Sequence, residues 1–321
     1  MAQGQYPGSG GQARPAARQA HDDGTHPGAT APDAGRSPSE ETDTAADAAI
    51  AAVARAARVA ARALAAAPAA QKVSGLHAMA TALEEACDGI VRANRDDLAR
   101  GKRNGMNPGL FDRLALDAPR IGQIAGALRD VAQLPDPVGQ VVRGRTLPNG
   151  IELRQVRVPM GVVGMIYEAR PNVTVDAAGL AIKSGNAVIL RGGSAAEATN
   201  AAIVGVLRDA LASAGLPEDA CQTIDSHGRA GARALMRARG LVDLLVPRGG
   251  AGLIHQVVTE ARVPAIETGV GNCHLYVDQA ANLDQAVGII VNSKAQRPSV
   301  CNAAETLLVH DAVAPAFLPV A

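Results

Sequence analysis

The sequence predicts an α/β fold organised around a doubly wound parallel sheet, and three observations carry that expectation. Between positions 161 and 267, five short apolar runs (161–168, 186–191, 221–225, 241–247 and 264–267) alternate with stretches of helical periodicity at 173–184, 195–214, 229–239 and 251–261. Four crossovers of that length between five strands suit parallel pairing, because a hairpin turn cannot return a strand in the same direction. Polar, glycine-rich segments follow several of the runs, at the strand ends where open parallel sheets gather their ligands.

The other elements follow in chain order. Residues 1–43 are rich in Gly, Pro, Ser, Thr and Asp with almost no large apolar side chains, so burial cannot offset the entropy of ordering them, and a disordered tail is expected. An alanine-rich helix is predicted over 44–66, and Leu76, Met79, Leu83, Ile90 and Val91 give helical spacing over 72–103, with helices continuing to about residue 134. Two strand-like runs, 139–145 and 151–158, flank Pro148-Asn149-Gly150, a hairpin signal whose projecting tip suits oligomerisation. After the parallel-sheet region a new start is visible, with strand 274–278, helix 283–293 and strand 305–310. The expected division is therefore a tail over 1–43, N-terminal helices over 44–138, the hairpin over 139–158, a cofactor-binding domain over 159–266 and a catalytic domain over 267–321. Only 49 residues run from Cys273 to Ala321, too few for an independent core, so this second domain is expected to be incomplete and the sequence to be truncated at its C-terminus.

Composition removes several classes of function. Lys plus Arg (31) balances Asp plus Glu (31), so net charge argues for neither a nucleic-acid track nor an anionic membrane surface. Aromatic residues are 2% of the total, too few for an aromatic cage or a base-stacking platform, and a small polar ligand is expected instead. The most membrane-like stretch, 45–70, is broken by Arg55, Arg58 and Arg62, and no targeting or spanning segment is read. Cysteines at 87, 221, 273 and 301 show neither metal-site spacing nor the density of a disulfide scaffold, which points to a reducing, cytoplasmic setting. Cys87, Cys221 and Cys273 read as structural, His255 and His274 as ordinary helix or strand residues, and no metal is expected.

The chemistry lies in the loops. After the first run of the sheet comes Tyr167-Glu168-Ala169-Arg170-Pro171-Asn172, in which Asn172 either offers its amide to an oxyanion or caps the next helix. Arg191-Gly192-Gly193-Ser194 sets a fixed cation before a flexible loop and a helix N-terminus, which suits a phosphate, although a glycine turn beside a solvated arginine has the same local signature. Pro247-Arg248-Gly249-Gly250-Ala251-Gly252 repeats the device, its small residues permitting close approach to a pyrophosphate or an acyl phosphate. Arg170, Arg248, Lys294 and Arg297 are candidate holders of an anionic substrate, as carboxylate or phosphate, and solvated surface charges would look the same.

Two further runs, 267–272 (Glu-Thr-Gly-Val-Gly-Asn) and 292–306 around Cys301, resemble the aldehyde dehydrogenase superfamily, and the wording of 166–194 and 294–310 is similar to its branch acting on γ-glutamyl phosphate. The resemblance covers roughly residue 53 to the end. It implies an aldehyde-dehydrogenase-like fold, a nicotinamide-binding domain, a catalytic domain with a nucleophilic cysteine, and subunit association through the hairpin. Carried over by position, Cys301 is the nucleophile, Asn172 the oxyanion amide, Glu267 the superfamily's glutamate, and Arg191 a basic residue touching the adenosine ribose. The implied reaction is attack of Cys301 on γ-glutamyl phosphate, loss of phosphate, and NADPH-dependent reduction of the thioester to glutamate semialdehyde, a step of proline biosynthesis with glutamate kinase as a pathway partner.

Elementary chemistry is compatible with these roles. A thiolate needs positive potential, which Lys294, Arg297 and a nearby helix N-terminus can supply, and an oxyanion needs preorganised donors such as Asn172 and the backbone N–H of Cys301. Glu267 as a water-activating base would hydrolyse the thioester, so a structural or protonic role is expected of it. Two alternatives stand beside this reading: an oxidising aldehyde dehydrogenase in which Glu267 does activate water, and a non-catalytic cofactor-binding fragment.

Overall fold

The computed structural model describes residues 38–267, 269, 271–298 and 300–321, so residues 1–37 of the tail expected over 1–43 lie outside the described residues, and 38–43 are helical instead. Helix α1 spans Pro38–Ala66, six residues longer at its start than the composition suggested. A helix already nucleated over an apolar face extends readily, since each added residue forms a hydrogen bond for one residue fixed.

Helices α2 (Ala69–Glu85), α3 (Cys87–Arg103), α4 (Pro108–Leu114) and α5 (Ala118–Gln133) follow. Their boundaries have local causes. Asn107 caps α4 by accepting from Gly109 N at 2.8 Å, with Pro108 at the first helical position, and Asp117 caps α5 by accepting from Arg120 N at 2.8 Å. Buried Leu76, Met79 and Leu83 of α2 and Leu128 of α5 belong to one core with Ile50 and Leu64 of α1. Burial of each of these side groups contributes about 1.5–3 kcal/mol of transfer free energy.

Strands β1 (Val141–Thr146) and β2 (Glu152–Val156) form an antiparallel hairpin whose residues are exposed throughout. Its turn closes through Gly150 N to Leu147 O at 2.9 Å, with Gly150 at φ +87°.

The central sheet contains β3 (Val162–Tyr167), β4 (Ala187–Arg191), β5 (Cys221–Thr223) and β6 (Leu244–Arg248) in the order β5-β4-β3-β6, all parallel. The fifth run is not a full strand: Ala265 makes a single parallel bridge to Leu245. Pro264 has no N–H to continue the ladder in one direction, and in the other it ends after Ile266 N donates to Leu245 O at 2.9 Å, with Glu267 exposed. Helices α6 (Pro171–Lys183) and α7 (Glu197–Ser213) make the crossovers toward β5, and α8 (Gly228–Arg237) makes the return to β6. Right-handed crossovers put α6 and α7 on one face of the sheet and α8 on the other, where it packs on α1. Strand order reverses between β3 and β6, which makes their C-terminal ends the switch point of the sheet.

Helix α9 (Ala251–Glu260) follows β6. The remainder is β7 (His274–Val277), α10 (Leu283–Ala295), β8 (Thr306–Val309) and α11 (Ala314–Phe317), with β7 and β8 paired in parallel. No helix among the described residues is long and apolar enough to cross a membrane.

Candidate active site

The site grows from the switch point. Tyr167 at the end of β3 lies opposite Arg248 at the end of β6, and Glu168 N donates to Arg248 O at 3.2 Å. The two loops that leave these strands therefore start side by side. From β3 the backbone runs through Glu168, Ala169 and Arg170 into α6, with Arg170 at its N-cap and Pro171 at N1, so Asn172 is exposed at the second helical position. Asn172 is thus not the capping residue.

Burial, and then the guanidiniums of Arg113 and Arg248, hold the Arg170 side chain below the usual arginine range, while Glu168 and Cys301 act in the opposite sense. Arg113 of α4, Glu168 of the β3 loop, Arg248 at the end of β6 and Cys301 before β8 thus each lie within electrostatic reach of Arg170.

Cys301 is exposed in the turn segment between α10 and β8. That segment is fastened at several points. Ala304 N donates to Ser293 O at 3.0 Å, Lys294 Nζ donates to Ala304 O at 2.9 Å, and the Cys273 thiol lies 3.6 Å from Cys301 O. Arg297 reaches Asp112 of α4 at 3.5 Å, and Asp112 also holds Arg120 at 2.8 Å. Lys294 and Arg297 therefore have visible work in positioning the cysteine segment. Glu267 is exposed, and among the described residues no hydrogen bond or ion pair joins it to Cys301.

The loop after β4 is built differently from what its sequence suggests. Gly192 is buried and donates its N–H to Asp225 Oδ1 at 2.6 Å, so that donor is committed inside the protein. A Cβ on Gly193 would lie 2.8 Å from Ala169 N, which shows how closely this loop rests on the one leading to Asn172. Ser194 is exposed, and its carbonyl accepts from Arg100 at 3.0 Å. Among the described residues, Arg191 Nε is the buried side-chain polar atom left without a partner. A half-buried cation with an unmet donor, beside small residues and at a strand end, fits an anionic portion of a nicotinamide cofactor.

At the second glycine loop, Gly250 is the N-cap of α9 and its N–H donates to Glu168 Oε1 at 2.7 Å. A Cβ on Gly249 would lie 3.0 Å from the same oxygen. A carboxylate of the protein itself sits where an incoming phosphate was expected.

Composition and motif spacing did not point to the polar groups behind this surface. Asp225, Asn200, Thr174 and Tyr167 form a buried series of hydrogen bonds, and Asp97 caps α7 by accepting from Thr199 N at 2.8 Å. Their available signal was a polar residue on an otherwise apolar helical face, as at Thr174 and Asn200. The structural reading of Cys221 agrees with its setting: it is fully buried, and burial pushes its thiol up to about 12. Among the described residues, no group of His, Cys, Asp and Glu side chains is disposed to hold a metal ion.

Known proteins align with this chain over most of its length. The aldehyde dehydrogenase family model matches residues 29–320. A γ-glutamyl phosphate reductase from Kineococcus radiotolerans is 65% identical over 250 residues, covering 78% of this chain and 58% of that protein. One from Thermobifida fusca is 58% identical over 248 residues, covering 77% of this chain and 59% of that protein. The crystal structure of γ-glutamyl phosphate reductase from Thermotoga maritima superposes with a TM-score of 0.79 at 44% identity, covering 84% of this chain and 66% of that one. An acetylating aldehyde dehydrogenase from Geobacillus thermoglucosidasius shares the fold at 19% identity and a TM-score of 0.63. The chain thus spans about three fifths of the length of the curated relatives it matches.

Proposed function

This chain belongs to the aldehyde dehydrogenase family, and from that premise we propose that it carries the cofactor site and the nucleophile of an NADPH-dependent γ-glutamyl phosphate reductase. The observation that carries the reading is the meeting of the β3 and β6 ends at the switch point, where Glu168 N donates to Arg248 O, with the cysteine segment tied to neighbouring α4 through Arg297 and Asp112. The names of the relatives from Kineococcus radiotolerans, Thermobifida fusca and Thermotoga maritima support it.

In this reading the Cys301 thiolate attacks the acyl carbon of γ-glutamyl phosphate. The carbon–oxygen bond to phosphate breaks, and phosphate leaves with the bonding electrons. Asn172 donates its amide to the oxyanion that forms on the way. Arg170 and Arg248 hold the anionic ends of the substrate, and an anion placed there relieves the repulsion among the guanidiniums. A bound nicotinamide cofactor, NADPH in this reading, would supply the hydride whose delivery to the thioester carbon releases glutamate semialdehyde and the Cys301 thiolate. Arg191, Gly193 and Ser194 would hold the cofactor's adenosine end, with Arg191 toward the 2′-phosphate, while Gly192 shapes that loop from beneath. The loop at Gly249 and Gly250 would take the pyrophosphate only in place of Glu168, whose carboxylate holds Gly250 N–H. Lys294 and Arg297 act on the cysteine segment through Ala304 and Asp112 as well as through their charge. Glu267 has no water to activate, since hydrolysis would waste the acyl phosphate, and its part is structural or protonic. The exposed hairpin of β1 and β2 is the surface through which subunits associate.

The test mixes the protein with NADPH and γ-glutamyl phosphate generated in situ, beside Cys301→Ser, and follows cofactor oxidation. Turnover should fall to background in the variant, and equal rates would overturn the assignment. Run in reverse, oxidation of glutamate semialdehyde should require added phosphate. Phosphate-independent oxidation to the acid would instead mark a hydrolysing aldehyde dehydrogenase.

A further inference from the structure

Five elements send a polar group to one buried point beneath the loop that follows β4. The Tyr167 hydroxyl, at the end of β3, is 2.7 Å from Thr174 Oγ1 of α6. Thr174 Oγ1 donates to Asn200 Oδ1 of α7 at 2.8 Å, and Asn200 Nδ2 donates to Asp225 Oδ2 at 2.8 Å. The other oxygen of Asp225 accepts from Gly192 N at 2.6 Å. Thr174 and Asn200 are 0% exposed and Tyr167 is 1% exposed, so these bonds have no competition from water.

An apolar core would fill this volume without the desolvation cost of a carboxylate, so the polar arrangement needs a reason of its own. Its geometry supplies one. A Cβ on Gly192 would stand 2.2 Å from Asn200 Nδ2, 3.2 Å from Asp225 Oδ2 and 3.3 Å from Tyr167 Cζ, which pins the loop backbone directly to the series of hydrogen bonds. The residue before it is Arg191, whose buried Nε has no partner within the protein. Two residues before Thr174 on α6 stands Asn172, and Gly193 rests on the backbone of Ala169 in the loop leading to it. One buried carboxylate thus fixes the loop that presents Arg191 and, through Asn200 and Thr174, the helix that presents Asn172.

We propose that Asp225 is a positioning residue for the nicotinamide cofactor: it locks the Arg191-Gly192-Gly193 loop in the form that offers Arg191 to the cofactor's 2′-phosphate, and registers that loop against the helix carrying Asn172. This rests on the assignment of the loop after β4 as the cofactor site. Asp225 touches no ligand itself. Its effect passes through Gly192 N–H, so it concerns the phosphate that distinguishes NADPH from NADH more than the parts the two share.

The test is an equilibrium titration of the folded protein with NADPH and with NADH, read by quenching of nicotinamide fluorescence, with no turnover involved. Asp225→Ala removes both acceptor oxygens and should weaken NADPH binding at least ten-fold while changing NADH by less than three-fold. Asp225→Asn keeps an acceptor for Gly192 N–H and can donate to a flipped Asn200 amide, and it should stay within three-fold of wild type for both. Should Asp225→Ala not fold, Asn200→Ala removes the clamp on the carboxylate and should weaken NADPH selectively by three- to ten-fold. Equal loss of both cofactors, or no loss, in the folded variants overturns the proposal. A wild-type protein that binds neither cofactor would instead overturn the cofactor assignment on which the proposal stands.

Discussion

Glu168 accepts a 2.7 Å hydrogen bond from Gly250 N, the backbone donor at the start of α9. The first amides of a helix carry the positive end of its dipole and attract an anion, and here the anion is intramolecular. If the same end of α9 takes the cofactor's pyrophosphate, the two anions compete for it.

Removing the carboxylate should therefore tighten cofactor binding. Charge at a helix terminus contributes about 0.3–1 kcal/mol, so Glu168→Ala should lower the NADPH dissociation constant about two- to five-fold. Titration by fluorescence quenching reads it directly. An unchanged or weaker affinity would show that Glu168 supports the loop and that the pyrophosphate lies elsewhere.

The two glycine loops should respond unequally to alanine. At Gly192 the new methyl would stand 2.2 Å from an amide held on both sides by Thr174 and Asp225, whereas at Gly250 its nearest neighbour is Glu168 Oε1 at 3.4 Å. Overpacking at a pinned site costs about 1–3 kcal/mol, and we expect Gly192→Ala to fall in the upper half of that range. Gly250→Ala, which only weakens a cap, should cost under about 1 kcal/mol. Urea unfolding of both variants decides the order, and equal losses would contradict the tight seat drawn for Gly192.

Arg191 carries the cofactor preference in this reading. A hydrogen bond to a charged group contributes about 1.5–3 kcal/mol, so Arg191→Ala should weaken NADPH by roughly ten- to hundred-fold. NADH, which lacks the 2′-phosphate, should change little. Matching losses for the two cofactors would place the 2′-phosphate away from Arg191.

What was legible in the sequence follows from what is local. Alternating apolar runs located β3, β4, β5 and β6, and the spacing around Pro148-Asn149-Gly150 located the hairpin, because period and turn chemistry are properties of neighbouring residues. The run at 264–267 misled for the same reason: its composition suits a strand, but only Ala265 bridges β6. The motif around Cys301 was readable as a word. The partners of its neighbours were not, since Arg297 finds Asp112 across 185 positions and Glu168 finds Gly250 across 82. Asp225 gave no sign of its connection to Gly192, because two adjacent parallel strands had to place their ends together first.

One ion pair ties α2 to the segment entering the hairpin and should make the fold acid-sensitive. Lys72 Nζ lies 2.6 Å from Asp136 Oδ2, with side chains 2% and 17% exposed. Burial alone would raise the Asp136 carboxyl, yet the hydrogen bonds from Lys72 and Val138 N together with the charges of Lys72 and Lys183 outweigh it, and the net shift is downward. A carboxyl lowered in the folded state binds its proton less readily than in the unfolded state, so it adds stability above the ordinary carboxylate range. That contribution is lost as pH falls from the unfolded value of 3.8 through the lower folded one. Asp136→Asn leaves a buried ammonium facing an amide and should cost about 3 kcal/mol at neutral pH, the lower end expected for breaking a buried pair, because Asp136 keeps some exposure. Urea unfolding between neutral pH and pH about 3 should show the variant less stable and with a shallower loss on acidification. A variant as stable as wild type, with the same slope, would show that the pair adds nothing to the fold.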